Sequence, residues 1–418
     1  MSSAAEVVAP DALVALTVEV DDPGDLLSWL PAGEAFGFLR GGDGIVGWGV
    51  AARLGTHRPL PGADLADEVE GLLAGITVRD DVRLPGTGPV AIMSLPFDPS
   101  AAGSVVVVPT VVLGRRDGRS WLTLVTPPGA VAVPQLRRRP AAALPPLHAQ
   151  LAAPVPSEAE WEQSVAVAVE QLRQGALDKV VLARALDVTA DEPLDPRSLA
   201  ARLAARFPSC FTYVCDGLVG ASPELLLRRI GRQAESLVLA GTIARGGSPE
   251  EDEANERALA DSAKDAHEHR LAVDSARDVL RSVSIETDED AAPHLLRLAN
   301  VTHLATRLVA WLPSPPPSAV RVATALHPTA AVGGTPREEA LALIRELEAA
   351  PRERYAGPVG WMDASGDGEF AIALRCAQVD GRTARLWAGA GIVAESKPVN
   401  ETAETAAKFD AVLSALIS

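Results

Sequence analysis

The chain has 418 residues, 47% of them hydrophobic, with a formal net charge of −17 and three cysteines. That is enough for one large domain or two ordinary ones, and the acidic balance argues against a nucleic-acid or anionic-membrane partner, since phosphate binding needs clustered cations. Cys210, Cys215 and Cys376 are too few and too scattered for a disulfide framework or a zinc site, which points to a reducing cytoplasm.

Residues 1–20 lack a basic segment followed by an apolar core, so no signal peptide is expected. No apolar run approaches the roughly 20 residues needed to span a bilayer. The cations are unevenly divided. Of 38 Lys plus Arg, four are lysines, namely Lys179, Lys264, Lys397 and Lys408, and the first 178 residues have none. Arginine is the default surface cation here, so each lysine merits inspection as an amine that can lose its proton.

Residues 1–155 alternate short apolar runs with turn signals. GGDG and RRDGRS between strand-like runs predict hairpins. The Pro- and Ala-rich stretch 138–157 has no periodicity and reads as a connection over the surface or between lobes. SEAEWEQSVAVAVEQLRQG then predicts a helix opened by Ser157 with Glu160 three residues on, and closed by Gly175. DKVVLARALDV, CFTYVCDGLVGA and SLVLAGTIA predict strands. NERALADSAKDAHEHRLAVDSARDVLRSV predicts one long helix. TPREEALALIRELEAA predicts another, with Thr335 as N-cap, Pro336 in the first turn and Glu338 completing a capping box. The segment from Tyr355 to Val393 predicts three antiparallel strands joined at SGDG and VDGR. Strands that arrive in hairpins favour an α+β class with antiparallel sheets.

Asp265 and Glu268 on one predicted helix, and Glu401 and Glu404 on the last, share the i, i+3 spacing that places both acids on one face. Facing helices of this kind could surround a hard divalent cation with oxygen ligands. By spacing alone, with Lys264 and Lys408 beside them, a solvated salt-bridge face is the simpler reading. Glu224 in SPELLLRR follows a proline at the start of an apolar strand, where apolar walls would raise its pKa and let it donate a proton. Lys179 opens VVLAR with Val181 and Ala183 on its side of the strand, and a desolvated amine there could serve as a base. The glycines at 389–391 are not a dinucleotide loop, because the third glycine and the following helix start are missing.

Taken together, DKVVLARAL, ASPELLLRR, LAGTIARG, SAKDAHEHRLAVD, ALHPTAAVGGTP, ERYAGPVGWMD, FAIALRCAQV and GAGIVAESKPVNETAETAAKF resemble the chorismate-utilising enzymes, in the order found there. The resemblance spans roughly residues 157–418. It implies a single large α+β fold with two antiparallel sheets packed together and helices around them. Residues 1–155 are expected to be a variable N-terminal lobe contributing strands to that fold, and 156–418 the chorismate-binding catalytic region.

By the same resemblance, Lys179 matches the base that activates water for attack on ring carbon 2. Glu224 matches the acid that protonates the departing hydroxyl at carbon 4. Glu268 and Glu404 match ligands of Mg²⁺, supported by Asp265 and Glu401. Tyr355 and Arg375 match the groups that bind the enolpyruvyl carboxylate, and Gly241, Thr242 and Gly389 line the substrate. His303 matches a pocket histidine, although a satisfied buried histidine would leave the same trace. Lys408 neutralises the acidic cluster or helps to hold the substrate carboxylate.

Two positions choose among members. Aminodeoxychorismate synthases carry a nucleophilic lysine where this chain has Ala240. Salicylate synthases tend to carry a threonine where this chain has Ala331. No tryptophan-binding LLES-type motif is present, so no obligate glutaminase subunit is expected. The resemblance therefore implies Mg²⁺-dependent conversion of chorismate to isochorismate by a cytoplasmic monomer, feeding menaquinone or siderophore biosynthesis. Salicylate synthase is the alternative, and a non-catalytic chorismate-binding subunit is the reading from another class.

Overall fold

The computed structural model describes residues 6–8, 12–55, 59–60, 62–129 and 149–417. They form two large sheets of eleven and thirteen strands. Neighbouring strands are antiparallel almost throughout, and Leu13–Val20 beside Ile76–Asp80 is a parallel pair. The main core lies between the sheets and includes Trp121, Trp161, Tyr213, Phe211, Trp361 and Phe370. Large aromatic and β-branched side chains suit such a sheet-on-sheet interior, each removing a wide apolar surface from water. A second core packs helices Pro196–Arg206 and Pro398–Ile417 against the outer face of the thirteen-stranded sheet.

The N-terminal hairpins form where the turn residues placed them. Ala35–Arg40 pairs with Asp43–Trp48 around Gly41–Gly42, and Val111–Arg116 with Arg119–Thr126 around Asp117–Gly118. All four turn residues have positive φ, as tight hairpin turns require. Helix Gly62–Ala74 was not legible, because its flanks offer no cap signal. Of the stretch 138–157, residues 138–148 lie outside the described residues, and Ala149–Leu151 adds a short edge strand to Lys179–Ala190.

Several elements correct the sequence reading. CFTYVCDGLVGA is a hairpin, Phe211–Cys215 and Leu218–Ser222, turned at Asp216–Gly217. The long helix is two. Pro249–Asp261 ends and Ala263–Val283 begins at Ser262, whose extended backbone breaks the helix while its hydroxyl accepts from Asp265 N. A serine competes with the helix for its own backbone and so favours caps over interiors. The Ser157–Glu160 capping box forms as expected, and Gly175 follows the helix end with φ +75. The box at Thr335 does not form. Thr335 pairs with Lys179 in the sheet, and helix Arg337–Leu347 starts at Pro336 without a side-chain cap.

The segment from Tyr355 onward holds four strands. Pro358–Asp363 and Gly368–Ile372 pair within the eleven-stranded sheet, whereas Cys376–Asp380 and Thr383–Ile392 pair within the thirteen-stranded one. The chain therefore changes sheets at Ala373–Arg375. A second change lies beside it, where Leu218–Ser222 of one sheet gives way to Leu225–Ile230 of the other through Pro223–Glu224. Backbone bonds tie the two crossings together, Ile372 N donating to Glu224 O (3.2 Å) and Ala221 N to Arg375 O (3.1 Å).

Candidate active site

The two sheet crossings put Glu224 and Arg375 at one end of a cavity between the sheets. From the thirteen-stranded sheet it is lined by Val181, Trp387 and Gly389; from the eleven-stranded one by Ala240, Thr242 and His303. Glu268, Glu404 and Lys408 close it from the helices, and Gly241, Ala331 and Tyr355 complete the candidate residues in the wall. Lys179, Asp265 and Glu401 stand behind this lining. Lys179 is fully buried and reaches the cavity group Glu268, its Nζ 3.1 Å from Glu268 Oε1. This is a charge contact without an aligned hydrogen bond, and Nζ has no other partner among the described residues.

Glu224 is buried, and burial pushes its pKa up to about 8, against the pull of Lys179 and Arg375. The side chain is therefore a protonated acid at neutral pH, as a proton donor must be. The crossing buries Glu224 as SPELLLRR suggested, but beside the charges of Lys179 and Arg375 rather than among apolar walls alone.

Arg375 adopts φ +46 at its crossing, an uncommon conformation for a non-glycine residue. Its guanidinium is buried, with Nη2 2.9 Å from His303 Nε2, while Nε and Nη1 have no hydrogen-bond partner. Arginine can only donate, so His303 Nε2 accepts, and Nδ1–H then donates to Thr242 Oγ1 at 2.9 Å. Burial and the Arg375 charge hold the His303 pKa well below its ordinary value, which keeps the ring neutral. His303 is thus both a satisfied buried histidine and part of the cavity wall. Two unpaired guanidinium donors in a dry wall are a ready site for a carboxylate. Tyr355, also buried, stacks on Trp387 with ring centroids 5.9 Å apart and an interplanar angle of 6°.

The carboxylates stand on two helix starts. Breaking the helix at Ser262 places Asp265 and Glu268 in the first turns of Ala263–Val283, and Glu401 lies in the first turn of Pro398–Ile417. Helix N-termini favour negative charge. Burial pushes Glu268 up, but the Lys179 ammonium outweighs it and leaves the carboxyl below its usual range. Burial raises Asp265 and Glu401, Glu401 further through the neighbouring Glu404 charge. Lys264 Nζ lies 3.0 Å from Glu401, and Lys408 Nζ lies 2.6 Å from Glu404 and 2.8 Å from Gly389 O.

The donors are all oxygen, which suits a hard dication, and the backbone leaves room for them. A Cβ on Gly391 would stand 2.1 Å from Glu268 Oε1 and 3.2 Å from Lys179 Cε. Among the described residues, no three Asp, Glu, His or Cys side chains converge as a finished ligand set. Gly241 has φ +75 and forms a bulge between Ala240 and Thr242. There His269 Nδ1 lies 3.1 Å from Ala240 O and its Nε2 2.8 Å from Thr306.

Sequence reasoning missed three contributors. Arg352 lines the cavity and binds Val181 O (2.6 Å), Val332 O (2.7 Å) and the buried Glu348, which accepts from Ala183 N (2.8 Å). The i, i+4 spacing of Glu348 and Arg352 was a weak signal of this pair. Trp387 left none, since a tryptophan in an apolar strand reads as core. Lys264 was seen only as a neighbour of the acids.

A family model described as chorismate binding enzyme matches residues 10–417. The chain belongs to the chorismate-binding enzyme family. It is similar to isochorismate synthase DhbC of Bacillus subtilis, 38% identical over 274 residues, covering 63% of this chain and 69% of that one. The vibriobactin-specific isochorismate synthase of Vibrio cholerae is 32% identical over 389 residues and 91% of each chain. Among solved structures, MenF, the menaquinone-specific isochorismate synthase from Escherichia coli, superposes with a TM-score of 0.80 at 26% identity. It covers 98% of this chain and 96% of its own. The chorismate-binding fold thus accounts for both sheets, including strands from the first 155 residues. No helix among the described residues is long and apolar enough to cross a membrane.

Proposed function

We infer that this chain is an isomerase that converts chorismate to isochorismate. The observation that carries the reading is the cavity's pairing of a buried Glu224, its pKa pushed up by burial, with Lys179 behind Glu268, beside an Arg375 with two free donors. The relatives named above, specific for menaquinone in one case and vibriobactin in another, support the same reaction and leave both pathways represented.

In this reading the Arg375 guanidinium and the Tyr355 hydroxyl hold the enolpyruvyl carboxylate, with His303 and Thr242 fixing the orientation of the guanidinium. Lys179, having given up its ammonium proton, acts as the neutral amine and takes a proton from a water as the water oxygen bonds to ring carbon 2. Glu224 gives a proton to the hydroxyl leaving carbon 4, so one water is added and one released, and the ring is isomerised without net loss. Ala240 leaves space where a longer amine would compete with water, and Ala331 brings no hydroxyl of its own to the enolpyruvyl group.

Glu268 and Glu404, with Asp265 and Glu401 in support, would hold Mg²⁺, which supplies charge for the substrate's ring carboxylate. Lys408, bonded to Glu404 and Gly389 O, tethers the last helix to the substrate-lining strand.

The test is product identification after incubation with chorismate, with Mg²⁺ and with EDTA. Isochorismate formed only with Mg²⁺ is expected. Salicylate with pyruvate would select the lyase reading, and binding without turnover would select a non-catalytic subunit.

A further inference from the structure

Three of the four lysines stand at the acid cluster, each against a different carboxylate: Lys179 with Glu268, Lys264 with Glu401, and Lys408 with Glu404. Lys179 and Lys408 have places in the reaction described above. Lys264 has none. It does not line the cavity, yet it reaches from helix Ala263–Val283 across to helix Pro398–Ile417.

Its position is electrostatically costly. A cation in the first turn of a helix sits at the positive end of the macrodipole, where anions are favoured. What holds it there is Glu401, whose side chain is 1% exposed, and the field of Glu268 and Glu404 beyond it. The converse also holds. Without a cation, Glu401 would be a buried acid facing Glu404, and like charges so placed repel. The lysine pairs also account for the open arrangement of the acids, each drawn toward its own ammonium and no three gathered on one point.

We propose that Lys264 is a displaceable counter-ion of the metal site, which holds Glu401 in the metal-free protein and yields it when the divalent cation binds. The proposal rests on the Mg²⁺ reading above. It makes Lys264 a competitor of the cation: it stabilises the empty site and weakens Mg²⁺ binding before substrate arrives. The enzyme would then take up the cation tightly only when the substrate carboxylate adds its own charge.

Isothermal titration of the full chain with MgCl₂, without chorismate, tests this on wild type, Lys264→Met, Lys264→Arg, Glu401→Gln and the Lys264→Met/Glu401→Gln double variant. Lys264→Met is expected to bind Mg²⁺ about five- to tenfold tighter, as loss of one partly buried ion pair implies. Its metal-free melting midpoint should be lower than wild type, with the gap closing on Mg²⁺ addition. Lys264→Arg, which keeps the charge, should bind as wild type.

On the Glu401→Gln background the Lys264→Met step should change affinity less than twofold. Unchanged or weaker binding by Lys264→Met would overturn the proposal. So would equal tightening on both backgrounds, which would make Lys264 a diffuse charge without a specific hold on Glu401. Wild type that binds no Mg²⁺ at all, with or without chorismate, would remove the metal reading itself. Wild type that binds it, with Lys264→Met indistinguishable, would sink this proposal alone.

Discussion

Glu224 shows how one residue can carry a functional state at the expense of stability. Its folded pKa of about 8 lies above the ordinary 4.5, so the folded chain holds a proton that the unfolded chain releases. Its contribution to stability is complete below about pH 4.5 and is lost as pH rises toward 8. The acid form of Glu224 that the proposed reaction uses disappears over the upper part of the same range. Turnover is therefore expected to fall as pH rises through about 8, measured as kcat/KM over a pH series, which reports the groups of the free enzyme. Glu224→Gln should lose roughly 10²- to 10⁴-fold in kcat, and its melting midpoint should be less pH-dependent than that of wild type. Retained activity in that variant would place the acid elsewhere.

Gly391 makes a sharper residue-scale case. Its φ is not in the left-handed region, so alanine is tolerated by the backbone. The added methyl would meet Glu268 Oε1 and the Lys179 stem. Because Glu268 Oε1 is the end of a movable side chain, Gly391→Ala should fold normally. Moving the pair by about an ångström should cost on the order of a hundredfold in kcat. Near-normal activity would show that the observed pair geometry is not needed.

At the scale of elements, the site is built where regular structure is interrupted. The break at Ser262 sets the acids on a helix start, the bulge at Gly241 bends a strand against that helix, and the two sheet crossings deliver Glu224 and Arg375. The Glu348–Arg352 pair joins these pieces, binding the Lys179 strand at Val181 and Ala183 and the Ala331 loop at Val332. Arg352 also accepts at its carbonyl from Tyr355 N, 2.9 Å away. The pair is nearly dry, and removing one partner strands the other charge. Arg352→Gln should therefore cost roughly 3–5 kcal/mol, read by denaturant unfolding. Adding Glu348→Gln should recover part of the loss. Two additive losses would mean the residues act separately.

At the scale of the whole molecule, the described residues among the first 155 contribute strands to both sheets. Ala35–Arg40 pairs with Phe211–Cys215, and Val90–Ser94 pairs with Pro358–Asp363. Residues 156–418 expressed alone would expose two sheet edges and the part of the shared core that the N-terminal strands cover, a recipe for association. That fragment is expected to be insoluble or to lack a cooperative thermal transition. A monomeric fragment melting sharply would show that the C-terminal region folds alone.

Much of this was legible in the sequence because local chemistry decides it. Turn glycines fixed the N-terminal hairpins, Ser157 and Glu160 fixed a helix start, and the unusual rarity of lysine directed attention to Lys179, Lys264 and Lys408. The i, i+3 acids were visible, but the same spacing serves a solvated face. Choosing between the two readings takes burial and the opposite helix, and neither is a local property. Thr335 and Ser262 show the limit from the other side. Both are residues that cap helices, but pairing with Lys179 draws Thr335 into a sheet, while packing lets Ser262 split a helix that periodicity would continue. The raised pKa of Glu224, the free donors of Arg375 and the Glu348–Arg352 clamp arise only when strands from both sheets enclose them. Sequence alone thus determined the locally signalled turns and caps and the chemical inventory. Tertiary structure decided which groups meet out of water, because desolvation and the charges of distant neighbours are set by the assembled fold.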